Sequence, residues 1–329
     1  MATSALAALK TLSAKLGSNP LLVQAAGGNT SLKSDDTMWI KASGTWLKNA
    51  ENQDIFVPLN LLALGKALQN DSPACESCTD FVRHEINASG LRPSIETSVH
   101  GLMPQKVVLH VHCVNTISIA IRKNAEALLA TALLGFNWTF VPYARPGLDL
   151  SRAIRNAITL NTNVLVLENH GLVVAAASVA EAERLLEKVT KALQRPRRKI
   201  ATANLEKLMR IAEGTNYRVP LDDGCHSFAM DRTMCKLASE NVYYPDHAVF
   251  IGQQIPKDFS ANPPAIAIPG AGVLVHKAAK LAVEPMLRCL SDVFARLDAK
   301  AKLKALSTQE VAALMDWDAE KYRQGMRLQ

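Results

Sequence analysis

The chain has 329 residues, 48% of them hydrophobic and 20% charged, a balance that describes a globular protein and excludes a disordered one. Its net charge is +7, but aromatic residues make up only 5% and no nucleic-acid-binding module is recognisable, so nucleic acid is not an expected partner. No apolar run approaches the length of a membrane span, and six scattered cysteines read as the reduced thiols of a cytoplasmic protein.

The alanine-rich start, with no acidic residue before Asp35, looks slightly like an organelle transit segment. Gly27-Gly28-Asn29 follows so soon that an initial helix, a turn and a strand are the better reading. Residues 37–42 form a short strand closed by Ser43-Gly44, and residues 59–69 a helix. Residues 81–89 read as a strand or the start of a helix before the rigid Arg92-Pro93 turn, and residues 97–102 as a short helix.

Residues 106–114, Lys-Val-Val-Leu-His-Val-His-Cys-Val, carry the most chemistry. The side-chain period of a strand is two, so His110 and His112 share one face while Leu109, Val111 and Cys113 point to a core. Two imidazoles on one face are half of a metal site, or simply a hydrogen-bonded pair. Glu96, in Arg92-Pro93-Ser94-Ile95-Glu96, and His170, in Asn169-His170-Gly171, are the natural groups to complete a site. Zinc takes nitrogen ligands readily and tolerates the open position that catalysis needs.

Further on, residues 125–134 and 150–159 read as helices and 139–143 as a strand ending at Pro142. Residues 164–168 and 172–176 are strands around the Asn-His-Gly turn, followed by an amphipathic helix over 179–194. Short hairpin strands among helices predict an α/β layered fold around a largely antiparallel sheet. The basic run at 195–199 suits a helix end stopped by Pro196, and its charge would attract small anionic substrates. Residues 265–275 echo the strand–turn–strand of 164–174 without its histidine and run into a helix over 278–297. A degenerate half-repeat and a chance likeness both remain open. Ser307-Thr308-Gln309-Glu310 is a capping box opening a final helix through Tyr322.

Taken in order, Gly28-Asn29-Thr30-Ser31, Ser43-Gly44, Ser94-Ile95-Glu96, His110-Val111-His112 and Asn169-His170-Gly171 resemble the motifs of the class II aldolase/adducin family. The resemblance implies a metal-binding catalytic domain over residues 1–200 and leaves 201–329 as a C-terminal α/β extension. It implies that His110, His112 and His170 bind Zn2+ or another divalent transition metal and that Glu96 is the general acid/base. Asn29, Ser43, Gly44 and Ser94 would cradle a substrate phosphate. The implied activity is that of a lyase, cleaving a sugar or sugar phosphate through a metal-stabilised enediolate. Family active sites lie between subunits, which implies a homo-oligomer, a dimer or a tetramer.

Alternatives on the same site are a sugar-phosphate epimerase, dehydratase or decarboxylase. From a different class comes a non-catalytic adducin-like scaffold, which has no reason to keep an open metal site. Each motif also has a plain structural reading: Glu96 as a helix-start carboxylate, Gly28-Asn29 and Ser43-Gly44 as ordinary turns. Two positions depart from the family pattern. Ile95 stands where several members have a second serine, and Leu128 stands where fuculose-phosphate aldolase has a proton-donating tyrosine. Tyr143 and Tyr322 are the remaining candidates for that proton. His100, one helical turn after Glu96, reads as supporting rather than ligating; His84, His226, His247 and His276 read as structural. Cys75-Glu76-Ser77-Cys78 lacks a second pair and reads as free thiols. Residues 92–97 and 317–322 resemble the aldolase part of rhamnulose-phosphate aldolase/short-chain dehydrogenase fusions. No Gly-x-Gly-x-x-Gly loop is present, so an oxidoreductase is not expected.

Overall fold

The computed structural model describes residues 2–260, 262–298, 300–318 and 321–322. Its centre is a seven-stranded sheet in the order β3-β2-β1-β4-β7-β6-β5. The strands are β1 (Asn29–Ser34), β2 (Thr37–Lys41), β3 (Phe56–Asn60), β4 (Val107–Val111), β5 (Trp138–Val141), β6 (Val164–Leu167) and β7 (Gly171–Ala176). Every pairing is antiparallel except β5 with β6, as the layered antiparallel reading expects.

The alternation of β4 splits the core into two layers. Val107, Leu109 and Val111 pack with Leu9, Leu12, Leu16, Leu186 and Val189 from the helices Ala2–Gly17 and Val179–Ala192. Val108 packs on the opposite face, with Val99, Leu150, Ile154 and Val173 and the helices Thr97–Leu102 and Leu148–Ala157. Each fully buried aliphatic side chain contributes about 1.5–3 kcal/mol. Ser178 opens the long helix by accepting from the Glu181 N–H.

Three local expectations change. The histidine strand stops at Val111, and Val114–Ala120 is a helix. Its β-branched residues favour a strand, but Val114 and Ile117 are drawn into a core shared with Phe228, Tyr243, Leu290 and Phe294, and tertiary burial overrides propensity. The helix expected from residue 59 begins at Leu61, because residues 56–60 are a strand, and Pro58 is tolerated because β3 is the sheet edge. Residues 81–89 form tight turns around the helical turn His84–Ile86, joined to the sheet by one bridge between Val82 and Leu59.

Beyond residue 200 lies a second, three-stranded antiparallel sheet: β8 (Tyr217–Arg218), β9 (Ala265–Ile268) and β10 (Gly272–His276), in the order β8-β10-β9. The hairpin β9–β10 leads into the helix Val283–Phe294, the same strand–turn–strand–helix order as β6, β7 and Val179–Ala192. Polar ties join this part to the rest: Arg122 to Asp298 at 2.7 Å, Arg296 to Asn115 at 2.9 Å and Lys304 to Glu168 at 2.8 Å. The basic run is one of these ties, with Arg197 donating to Ser227 and the Arg198 N–H to the Ala295 carbonyl. The capping box forms at Ser307 and Glu310, opening the helix Thr308–Met315. That helix ends at Met315, capped at Asp316, and stops short of the expected Tyr322; residues 319 and 320 lie outside the described residues. No helix among the described residues is long and apolar enough to cross a membrane.

Candidate metal centre

His110 projects from β4, where its backbone pairs with Asn29 of β1 and Val173 of β7. His112 lies just past the strand end and still turns its ring to the same side. His170 comes from the tight turn between β6 and β7, where Asn169 adopts φ +54° and Gly171 leaves no room for a side chain: a Cβ there would stand 2.6 Å from the Val111 carbonyl. The three ring centroids lie 4.9, 4.9 and 5.1 Å apart. Each ring offers a nitrogen within 4.8 Å of the others, all three buried.

The His110 Nδ1 lies 3.1 Å from the Leu172 carbonyl, which only accepts, so Nδ1 carries the proton and Nε2 keeps its lone pair. That Nε2 is 3.1 Å from the His112 Nε2 and 3.4 Å from Glu96 Oε2; Glu96 Oε1 is 3.5 Å from the His170 Nε2. Burial works to raise the Glu96 pKa, but the imidazoles of His110, His170 and His112 and the Asn29 amide outweigh it and hold the carboxyl down at about 2. Burial pushes the His110 imidazole down to about 4. At neutral pH Glu96 is therefore a carboxylate facing the neutral His110 imidazole, the protonation state that metal binding requires of these two groups.

Glu96 is held from behind. The Asn29 Nδ2 donates to Glu96 Oε2 at 2.7 Å, the Asn29 Oδ1 accepts from the His100 Nε2, and the His100 Nδ1 accepts from the Ser31 hydroxyl at 2.7 Å. Burial lowers the His100 pKa to about 3, so it serves as a neutral relay between strand and carboxylate. Ser94 accepts the Glu96 N–H at 3.2 Å. Glu96 Oε1, beside His170, has no hydrogen-bond partner among the described residues.

Asn29, Ser43, Gly44, Ser94, Ile95, Glu96, His112 and His170 line one small cavity of about 20 Å³. The Ser43 hydroxyl is buried there without a hydrogen-bond partner among the described residues. Sequence reasoning missed Lys41, Pro146, Pro245 and Asp246, which also line it. Lys41 had a readable signal, since it lies two residues before Ser43 at the end of a strand. Its ammonium donates to the Ala26 and Gly28 carbonyls at 2.9 and 3.0 Å. Asp246 had none, because it arrives by tertiary folding.

The chain matches the family model described as the class II aldolase and adducin N-terminal domain over residues 8–195, more than half its length. The chain belongs to the class II aldolase and adducin family. A relative described as the uncharacterized oxidoreductase YuxG of Bacillus subtilis (strain 168) is 32% identical over 170 residues, which is 48% of this chain and 24% of the relative. The chain thus spans about a quarter of that relative's length. Among solved structures, the N-terminal class II aldolase domain of a conserved Thermoplasma acidophilum protein is 26% identical, covering 56% of this chain and 89% of that one at a TM-score of 0.49. A sugar-phosphate aldolase from Thermotoga maritima is 16% identical, covering 66% of this chain and 98% of that one at a TM-score of 0.46.

Within this member of the family, the other singled-out residues lie away from the cavity lining. Tyr143 packs against Val242, Leu306 and Leu314, and burial pushes its hydroxyl pKa up. The Tyr322 ring lies under the Arg92 guanidinium at 4.4 Å. Cys75 and Cys78 are buried free thiols, Cys78 donating to the Cys75 carbonyl, and burial raises both pKa values away from thiolate chemistry. His226 accepts from the Val273 N–H through Nδ1.

Proposed function

We propose that this chain is a zinc-dependent aldolase that cleaves a sugar or sugar phosphate. The observation that carries the reading is Glu96: a buried, ionised carboxylate beside three converging imidazoles, with Oε2 held by Asn29 at 3.4 Å from His110 and Oε1 at 3.5 Å from His170 without a hydrogen-bond partner among the described residues. Such a donor set fits a divalent metal, with His110, His112 and His170 as its protein ligands. Bound there, zinc would supply a Lewis acid for the carbonyl and hydroxyl oxygens of the substrate.

The chain's own residues do the rest. Glu96 moves the proton at the carbon that becomes nucleophilic, a role worth typically 10²–10⁴-fold in rate. Asn29 already commits its amide N–H to Glu96 and holds that carboxylate in place. Ser43, Gly44 and Ser94 form the wall where a phosphate would sit, and the buried Ser43 hydroxyl is a donor available to it. The Lys41 ammonium adds positive charge to the same wall. A cavity of about 20 Å³ has room for one water-sized group, so a sugar requires the lining to open.

We read residues 1–200 as the catalytic region and 201–329 as an extension that covers its site, and a homo-oligomer is part of the same proposal. Aldehyde release from a panel of ketose phosphates and free ketoses, assayed with the zinc-loaded protein, tests the reading. Turnover of a panel member to an aldehyde and a three-carbon ketone unit supports it. A zinc-loaded protein that only epimerises, dehydrates or decarboxylates the panel would assign the same proton transfer to a different product. A protein that takes up no zinc would overturn the reading.

A further inference from the structure

The extension beyond residue 200 does more than cover the cavity. Resting on the metal reading above, we infer that Asp246 is a positioning residue that fixes the His112 ring, so that the C-terminal part of the chain sets the metal affinity of a site whose ligands all lie before residue 171.

The His112 ring is addressed from both edges. Its Nε2 lies 3.1 Å from the His110 Nε2, inside the cluster, while its Nδ1 lies 3.0 Å from Asp246 Oδ2. With the ring proton on Nδ1, facing the Asp246 carboxylate, the Nε2 lone pair turns to the other histidines. His110 is held in the same sense, its Nδ1 against the Leu172 carbonyl. The two rings of the His-x-His pair are thus both fixed from behind, one by the neighbouring strand and the other by a carboxylate from the distant extension. A carboxylate behind a ligating imidazole fixes its tautomer and orientation and raises its basicity, and removing such a partner typically weakens metal binding 10–100-fold.

An ordinary helix-start role does not account for the arrangement. Asp246 is the second residue of the short helix Pro245–Phe250, a position where an acid is favoured by the helix dipole alone. A helix-start aspartate serves that role while facing water, but Asp246 is only 2% exposed and His112 only 5%. The backbone opposite has also been cleared for the pair. A Cβ on Gly27 would stand 2.7 Å from the His112 Nδ1 and 2.8 Å from Asp246 Oδ2, so the contact closes only against a bare glycine.

The extension is anchored beside this contact by the signature turn itself. Asn169, the neighbour of His170, donates its amide to the Tyr243 carbonyl at 2.9 Å and the Lys304 carbonyl at 2.7 Å. Tyr243 and Tyr244, just before Asp246, pack in the core that also takes Val114 and Ile117 from the helix following His112. One turn therefore supplies a candidate ligand and docks the segment that positions another.

The test uses the full chain and two readouts besides activity. Zinc affinity is measured by competition with a chromophoric chelator for the wild type, Asp246→Ala, Asp246→Asn and Gly27→Ala. The His112 tautomer is read from imidazole 15N shifts of the zinc-loaded wild type. The expected result is a zinc dissociation constant raised roughly 10–100-fold in Asp246→Ala. Asp246→Asn, which keeps a neutral acceptor, should fall between, and Gly27→Ala should weaken zinc without removing a charge. The wild-type His112 should carry its proton on Nδ1. Thermal stability of the metal-free proteins separates a merely structural role, which would lower the melting temperature and leave the zinc affinity of the folded protein unchanged. Equal zinc affinity in folded Asp246→Ala overturns the inference and leaves the metal reading standing. Should Asp246→Ala fail to fold, a wild-type His112 protonated on Nε2 overturns it on its own. A wild type that takes up no zinc overturns both.

Discussion

Asn169→Gly and Asn169→Ala form a pair of substitutions whose effects can be worked out from the turn. Asn169 is fully buried, sits at φ +54° and donates through Nδ2 to two backbone carbonyls of the extension, Tyr243 and Lys304. Removing the amide loses two hydrogen bonds, each worth about 0.5–1.5 kcal/mol net, and leaves two buried acceptors to find other donors. Asn169→Gly should therefore cost about 2–3 kcal/mol, since glycine accepts the left-handed backbone without strain. Asn169→Ala adds the left-handed penalty of roughly 1–2 kcal/mol, for a total of about 3–5 kcal/mol. Urea denaturation of the metal-free proteins, followed by tryptophan fluorescence, reads both numbers. Two variants within 0.5 kcal/mol of wild type would refute the docking role of the turn. Equal losses in the two would refute the backbone argument while leaving the docking role.

Three further outcomes follow from the same geometry. His112→Ala should abolish stoichiometric zinc uptake, measured by metal analysis of the purified protein, whereas His84→Ala, at an exposed position, should leave it unchanged. His247 is fully buried and burial lowers its pKa to about 3, so the native state refuses a proton that the unfolded chain accepts below about 6.5. Its neutral form thus stabilises the fold fully above pH 6.5, and that contribution is lost as the pH falls towards 3. Between pH 6.5 and 5.0 the loss from this one group is about 2 kcal/mol, and His247→Gln should flatten the acid side of the denaturation profile by that amount. Ser43→Ala should raise the KM for a phosphorylated substrate roughly 10–100-fold, the worth of one hydrogen bond to a charged group, and leave that for the free sugar nearly unchanged.

The parts of this protein that were legible in its sequence are those governed by local periodicity. The period of two in residues 107–111 placed His110 and the apolar core residues on opposite faces, and the Asn-His-Gly turn marked where two strands reverse. Order along the chain then grouped Glu96 with the histidines, and the structure brings it within 3.5 Å of His110 and His170. Illegible were the features set by tertiary contact. Val114–Ala120 carries the composition of a strand yet is helical, because a core shared with the extension buries it. The relay in which the Asn29 amide joins His100 to Glu96 needs three separate elements to meet. Asp246 carries no motif at all; only the docking of the extension takes it to His112.

The central claim is that Glu96 moves the proton while three imidazoles hold the metal, and turnover per bound zinc in Glu96→Gln tests it most directly. The substitution keeps size and polarity but removes the ability to take a proton at neutral pH. Zinc content should stay near that of the wild type because His110, His112 and His170 are untouched, and turnover per zinc should fall by roughly 10²–10⁴-fold. A value within a few-fold of wild type, at full zinc content, would contradict the account and move the proton transfer to another group.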